Sequence, residues 1–225
     1  MHSFKGLALL VLVLLSSCGG KETKAPGGSS IPRDTATSAL ATPSGSQGFR
    51  ERVKIKDAAD ARLFDIRLGD VIKIESGAEA TPNVLRGEMR PNGKRKYEME
   101  GGMVLAEVKS DNDAFKLRTQ DGKLLWKIKL GDGSVKISNN EENTNAFKLK
   151  SDGERVKVED GSETEIGKAT WQADKKRVKV KDAADTELFQ IDADRLSIAY
   201  GVLLLKDIPQ TERSIIIAEL LARGL

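Results

Sequence analysis

The chain has 225 residues, in which 37 Lys and Arg stand against 34 Asp and Glu for a formal net charge of +3. A near-neutral surface dense in both signs is well hydrated and lacks the basic excess of a dedicated nucleic-acid binder, so no nucleic-acid partner is expected. Cys18 is the only cysteine and His2 the only histidine, so no disulfide forms within the chain. If the N-terminus is cleaved before Cys18 and that thiol is taken up, Ser-His-Asp and Cys-His catalysis and zinc or copper sites built from His and Cys are excluded too.

The N-terminus carries Lys5, then nine apolar residues from Leu7 to Leu15, then Ser16-Ser17-Cys18. A charged start, a short apolar run and small residues make a secretory signal; a membrane-spanning helix needs about 20 apolar residues. With cysteine at the junction, Leu15-Ser16-Ser17-Cys18 resembles the lipobox of bacterial lipoproteins. The resemblance implies a signal peptide over 1–17, cleavage before Cys18, a diacylglycerol thioether on its sulfur and a third acyl chain, such as palmitate, on its new amino group. Cleavage would also remove His2 and tie up the only thiol. Gly19, in place of the Asp common at that position in inner-membrane lipoproteins, implies the outer membrane of the cell envelope.

From Cys18 to residue 48 the chain is mostly Gly, Ser, Thr, Ala and Pro with a few charged residues, and Ile31 and Leu40 stand alone as large apolar residues. Such a segment buries too little to offset its ordering entropy, and is expected to be a flexible tether reaching about 30 Å. Residues 49–225 are expected to form one domain.

That domain begins with a repeat. Arg52 to Ile66 reads RVKIKDAADARLFDI and Arg177 to Ile191 reads RVKVKDAADTELFQI, identical at 11 of 15 positions at an offset of 125. Weaker copies run from Ala114 through Gly122 to Ile128 and from Ala146 through Gly153 to Val158. Each alternates apolar and charged residues on either side of an Asp/Gly/Ala cluster, the pattern of a β-hairpin. Val53, Ile55, Val178 and Val180 are expected to face inward, and Lys54, Lys56, Lys179 and Lys181 outward. Asp57, Asp60, Asp182 and Asp185 read as turn formers: the Ala-Ala between them offers none of the oxygens of a calcium loop, so no metal site is assigned. Pro91-Asn92-Gly93 predicts a hairpin between Leu85–Arg90 and Lys94–Met99. Asp-Gly pairs at 121, 132, 152 and 160 mark further turns, and 139–145 reads as a polar loop. Trp126 and Trp171 are expected in the core.

About 12–14 short strands at this spacing predict an all-β antiparallel barrel, with a β-sandwich carrying a packed helix as the alternative. The C-terminus breaks the pattern. Ile198–Leu205 is apolar enough for a strand or a short helix. Ile215–Leu221 is apolar nearly all round and predicts a buried helix over 208–225, with Pro209 in its first turn, Thr211 as cap and Gly224 at its stop.

Strands around Asp121-Gly122 and Trp126-Lys127-Ile128, followed by one apolar helix, resemble the tubby-like barrel superfamily, which includes LURP-one proteins and scramblases. The resemblance implies twelve strands closed around the helix, and a lipid-handling role as an alternative function. Two basic clusters are candidates for anionic lipid: Lys94, Arg95 and Lys96, and Lys175, Lys176, Arg177, Lys179 and Lys181. Outward lysines that keep a sheet soluble are the competing reading. The leading expectation is a lipid-anchored envelope protein with a non-catalytic binding or structural role. Its partners would be the membrane, through the acyl chains, and either anionic lipid or another envelope protein. A carboxylate-only hydrolase is the remaining alternative; no acid pair can be chosen for it, so no catalytic residue and no cofactor is assigned.

Overall fold

Alternation of apolar and charged residues dictates the architecture. The computed structural model describes residues 50–77 and 83–225; the expected signal peptide, Cys18 and the expected tether lie outside the described residues. Fourteen strands follow in order: Glu51–Asp57 (β1), Arg62–Leu68 (β2), Val71–Ser76 (β3), Asn83–Met89 (β4), Lys94–Met99 (β5), Val104–Ser110 (β6) and Ala114–Arg118 (β7), then Leu124–Gly131 (β8), Ser134–Ser138 (β9), Phe147–Ser151 (β10), Arg155–Glu159 (β11), Glu165–Gln172 (β12), Arg177–Asp182 (β13) and Glu187–Asp192 (β14). Each pairs antiparallel with its neighbours in sequence, and β14 pairs with β1 to close the barrel. Closure leaves no edge strand open for pairing with another chain.

The closing pair explains the repeat. Hairpins β1–β2 and β13–β14 sit side by side across the seam, with Ile55 opposite Ile191 on one flank and Phe64 on the other. Their turns are built alike: Asp57 Oδ1 accepts the amides of Ala59 and Ala61 at 2.9 Å, and Asp182 Oδ1 those of Ala184 and Thr186 at 3.0 and 2.9 Å. Asp60 and Asp185 hold the left-handed position, with φ of 65° and 62°, that Gly93 supplies in the Pro91-Asn92-Gly93 turn. The copy over Ala146–Val158 differs: it spans β10–β11, whose turn lies at the other end of the barrel from those of β1–β2, β7–β8 and β13–β14. Alternation about a turn reads the same in either phase.

Inward residues such as Ile55, Ile66, Ile74, Leu117 and Ile137 are fully buried. They pack on two segments that fill the lumen: a 3-10 helix, Ile198–Leu204, and α1, Gln210–Ala222. Pro209 is the N-cap residue and Thr211 lies inside the helix, which moves the expected cap back by two residues; the Thr211 carbonyl accepts the Ser214 hydroxyl at 2.7 Å. Gly224, at φ 79°, ends the helix as expected: its amide reaches the Leu221 carbonyl at 2.9 Å, and that of Leu225 the Leu220 carbonyl at 3.1 Å. Trp126 is buried and Trp171 half-buried against the core.

The outward faces are charged strand after strand, for example Lys73 and Glu75 on β3, Lys96 and Glu98 on β5, and Lys148 and Lys150 on β10. A barrel spanning a bilayer has the reverse arrangement, with an apolar band outside and a polar lumen.

Candidate functional site

Lys94 and Lys96 point outward from β5 and pair with Glu107 at 2.8 Å and Glu98 at 2.6 Å. Arg95 has the opposite parity and faces the interior, so it leaves the expected patch. Lys175 and Lys176 lie in the β12–β13 turn, and Arg177, Lys179 and Lys181 line the outside of β13. Six strand steps separate β5 from β13 by the shorter way round, so the two clusters occupy nearly opposite sides and make no common patch. Carboxylates accompany them here too: Lys176 lies 3.6 Å from Asp194, Arg177 3.5 Å from Asp192 and Lys179 2.6 Å from Glu187.

One of these residues does join a site. Lys176 contributes to a cleft of about 570 Å³ at the rim where β1 begins and β14 ends, together with Arg50, Arg52, Asp192, Asp194 and Arg195. Tyr200, from the inner 3-10 helix, forms part of its wall. Burial, and then the Glu51 carboxylate, push the Tyr200 phenol well above its ordinary pKa, so it stays a neutral hydrogen-bond donor. Arg52 is held by Asp65 through Nε at 2.9 Å and through a second contact from Nη2; Arg195 donates to the Gly224 carbonyl at 3.0 Å. The site gathers β1, the segment after β14 and the lumen helix, which meet only on closure. Sequence reading found Lys176 alone because no local spacing links these pieces.

Asp65 is itself a testable group. Burial raises its pKa, but the hydrogen bond from Arg52 and the charges of Arg52 and Arg67 outweigh this and hold it below the usual carboxylate range. A lowered native pKa gives stability that is full above the unfolded value of about 3.9 and is lost as pH falls through the native value. Asp65→Asn is therefore expected to lower the melting temperature at pH 7 and to shrink the difference from wild type progressively below about pH 4. A difference that stayed constant down to pH 2 would show that the Arg52 pair contributes nothing through its charge.

A second polar cluster lies inside the barrel. Glu219 on α1 is buried; its Oε1 accepts Arg95 Nη1 at 2.9 Å and the Tyr97 hydroxyl at 2.8 Å. Its Oε2 pairs with Arg223, which also donates to Ser110 Oγ at 2.7 Å and stacks 4.3 Å from the Phe115 ring centre. Burial and the Glu219 charge keep Tyr97 protonated. Gly87, opposite Tyr97 on β4, makes room for the ring: a Cβ there would stand 2.6 Å from Tyr97 Cε1. This cluster fastens helix to wall, with Glu219 and Tyr97 buried and Arg223 reaching toward the surface.

The rim cleft sets four cationic side chains, Arg50, Arg52, Lys176 and Arg195, against three carboxylates, Glu51, Asp192 and Asp194, with the neutral phenol of Tyr200 in its wall, a mixed lining with a small basic excess. Among the described residues no group of three or more His, Cys, Asp or Glu is placed to hold a metal ion. No family model, curated protein or solved structure matches the chain. The barrel itself has fourteen strands where the tubby-like resemblance implied twelve.

Proposed function

We propose that the chain is a lipid-anchored protein of the bacterial cell envelope with a non-catalytic binding or structural role. The observation that carries this reading is the pairing of the lipobox-like Leu15-Ser16-Ser17-Cys18 with a barrel whose outside is charged and whose lumen is filled by its own helix. Such a body neither spans a bilayer nor encloses a ligand, so attachment falls to Cys18. Acyl chains bury about 0.8 kcal/mol per CH₂, and more than one makes the anchor stable. Gly19 favours the outer membrane.

Lipid handling, the role implied by the tubby-like resemblance, is the second reading. It draws on the rim cleft beside the first residues of β1, where four basic side chains stand with three acids and leave a small positive excess for a phosphate head group. One experiment addresses both. Cys18→Ala is expected to abolish palmitate labelling and release the protein from the membrane fraction. Labelling that persisted would overturn the anchor assignment; loss of label with full retention on membranes would make the cleft, not the acyl chains, the point of attachment.

A further inference from the structure

Lysines on successive strands stand in direct cross-strand register around the outside of the barrel. Lys94 on β5 faces Lys109, which faces Lys116, which faces Lys127 on β8. Two residues further along β8, Lys129 faces Lys136, and Lys136 faces Lys148 on β10. After a second two-residue step Lys150 faces Lys157, and Lys168 faces both Lys157 and Lys181 on β13. A row drawn perpendicular to tilted strands drifts along the barrel axis. Both steps run against that drift, so the lysines form a belt over nine consecutive strands of fourteen.

Within the belt, β7 to β10 contain no Asp or Glu. The acids that reach it come mostly from turns and from the flanking strands. Glu141 meets Lys116, Glu163 meets Lys148 and Asp185 meets Lys168; Glu107 meets Lys94, and Glu159 meets Lys150 and Lys157. Lys109, Lys129 and Lys136 are exposed and have no ion-pair partner among the described residues. Like charges placed directly opposite destabilise a strand pair, and no ion pair among the described residues offsets that for these three.

We propose that this belt binds a linear polyanion, a polymer bearing a phosphate or sulfate group on each repeat. Its extent selects that ligand over a membrane surface. A plane laid against a closed barrel meets a few adjacent strands, whereas a flexible polymer follows all nine. Met89 and Met103 are the large apolar side chains exposed among the described residues, and neither lies on β7 to β10, so that face has nothing to insert into lipid. Point-charge ammonium groups one strand apart, about 4.8 Å, neutralise successive anions and release their counterions. The belt shares no residue with the rim cleft.

The test is binding of labelled long-chain polyphosphate, and of heparin as the sulfate counterpart, to the full-length protein over a salt series. Binding that weakens steeply with salt is expected, with inorganic phosphate unable to compete at equal phosphate concentration. Lys109→Glu with Lys136→Glu cuts the belt at two points and sets each new carboxylate between lysines on both neighbouring strands. The double variant should therefore keep or raise the melting temperature while binding at least about tenfold more weakly. Arg86→Glu with Lys206→Glu, matched in charge but off the belt, should change binding less than about twofold. The proposal is overturned by absence of binding at low salt, by equal losses in the two double variants, or by binding to anionic phospholipid vesicles but to neither polymer. The polymer bound more tightly distinguishes phosphate from sulfate.

Discussion

Ile216→Asp is expected to unfold the barrel or destabilise it by at least about 4 kcal/mol. Ile216 is fully buried at the middle of α1, in the run Ile215-Ile216-Ile217-Ala218 where every residue is buried. The helix occupies the lumen, so the substitution has no surface toward which it can turn. An ionised carboxylate there lacks both water and a partner, and it would neutralise at a large cost in its own pKa rather than stay charged. The effect should spread through the wall, because inward side chains pack on this helix and on the preceding 3-10 turn in one core cluster. Denaturant unfolding of the variant against the Ile216→Val protein, expected to lose only about 0.5–1.5 kcal/mol, separates charge burial from loss of volume. A wild-type midpoint for Ile216→Asp would mean that α1 leaves the lumen readily.

Much of this fold is legible from alternation. In β1 Val53 and Ile55 take one parity and Lys54 and Lys56 the other, in β2 Phe64 and Ile66 alternate with Asp65 and Arg67, and the pleat turns parity within each strand into inside and outside. The Asp-Ala-Ala-Asp turns were readable too, because Asp side chains bond the amides ahead of them. What could not be read is whatever depends on closure. That β14 pairs with β1 follows from the number, tilt and register of the strands between, which no local pattern states. The rim cleft inherits this: Arg52 and Arg195 meet only once the seam closes. The segment Ile198–Leu204 remained undecided because an unbroken apolar run has no period, and burial on all sides imposes none.

Arg95 departs from its expected cluster for a different reason. Reading Lys94-Arg95-Lys96 as one outward cluster used charge alone, whereas strand parity groups Arg95 with Tyr97. Both signals were present in the sequence: the parity of β5, and Glu219, an acid in an apolar helix that needs a buried cationic partner. The lysine belt lay in plain view as single and paired lysines on each strand, yet opposition between them is a property of register, which appears only when the strands are aligned.

Glu219→Ala is the second large expected effect, a loss of about 3–5 kcal/mol. The carboxylate holds Arg95 and the Tyr97 hydroxyl from one oxygen and Arg223 from the other. Removing it leaves a guanidinium and a phenol without acceptors inside the barrel, and unsatisfied buried groups cost more than the bonds themselves contribute. Arg223 suffers least, since it is closer to solvent and keeps its bond to Ser110 and its stacking on Phe115. Arg95 suffers most: its side chain is 14% exposed and its Nε already lacks a partner. Glu219→Gln should fall between, because its amide oxygen still accepts from Tyr97 but offers no charge to Arg95. The decisive comparison is the double variant Arg95→Met with Glu219→Leu. Replacing both members of a buried pair with apolar residues is often neutral, so it should recover most of the stability lost by Glu219→Ala alone. Additive losses in urea unfolding would show instead that the two residues act separately, and that the helix is held by its apolar packing rather than by this cluster.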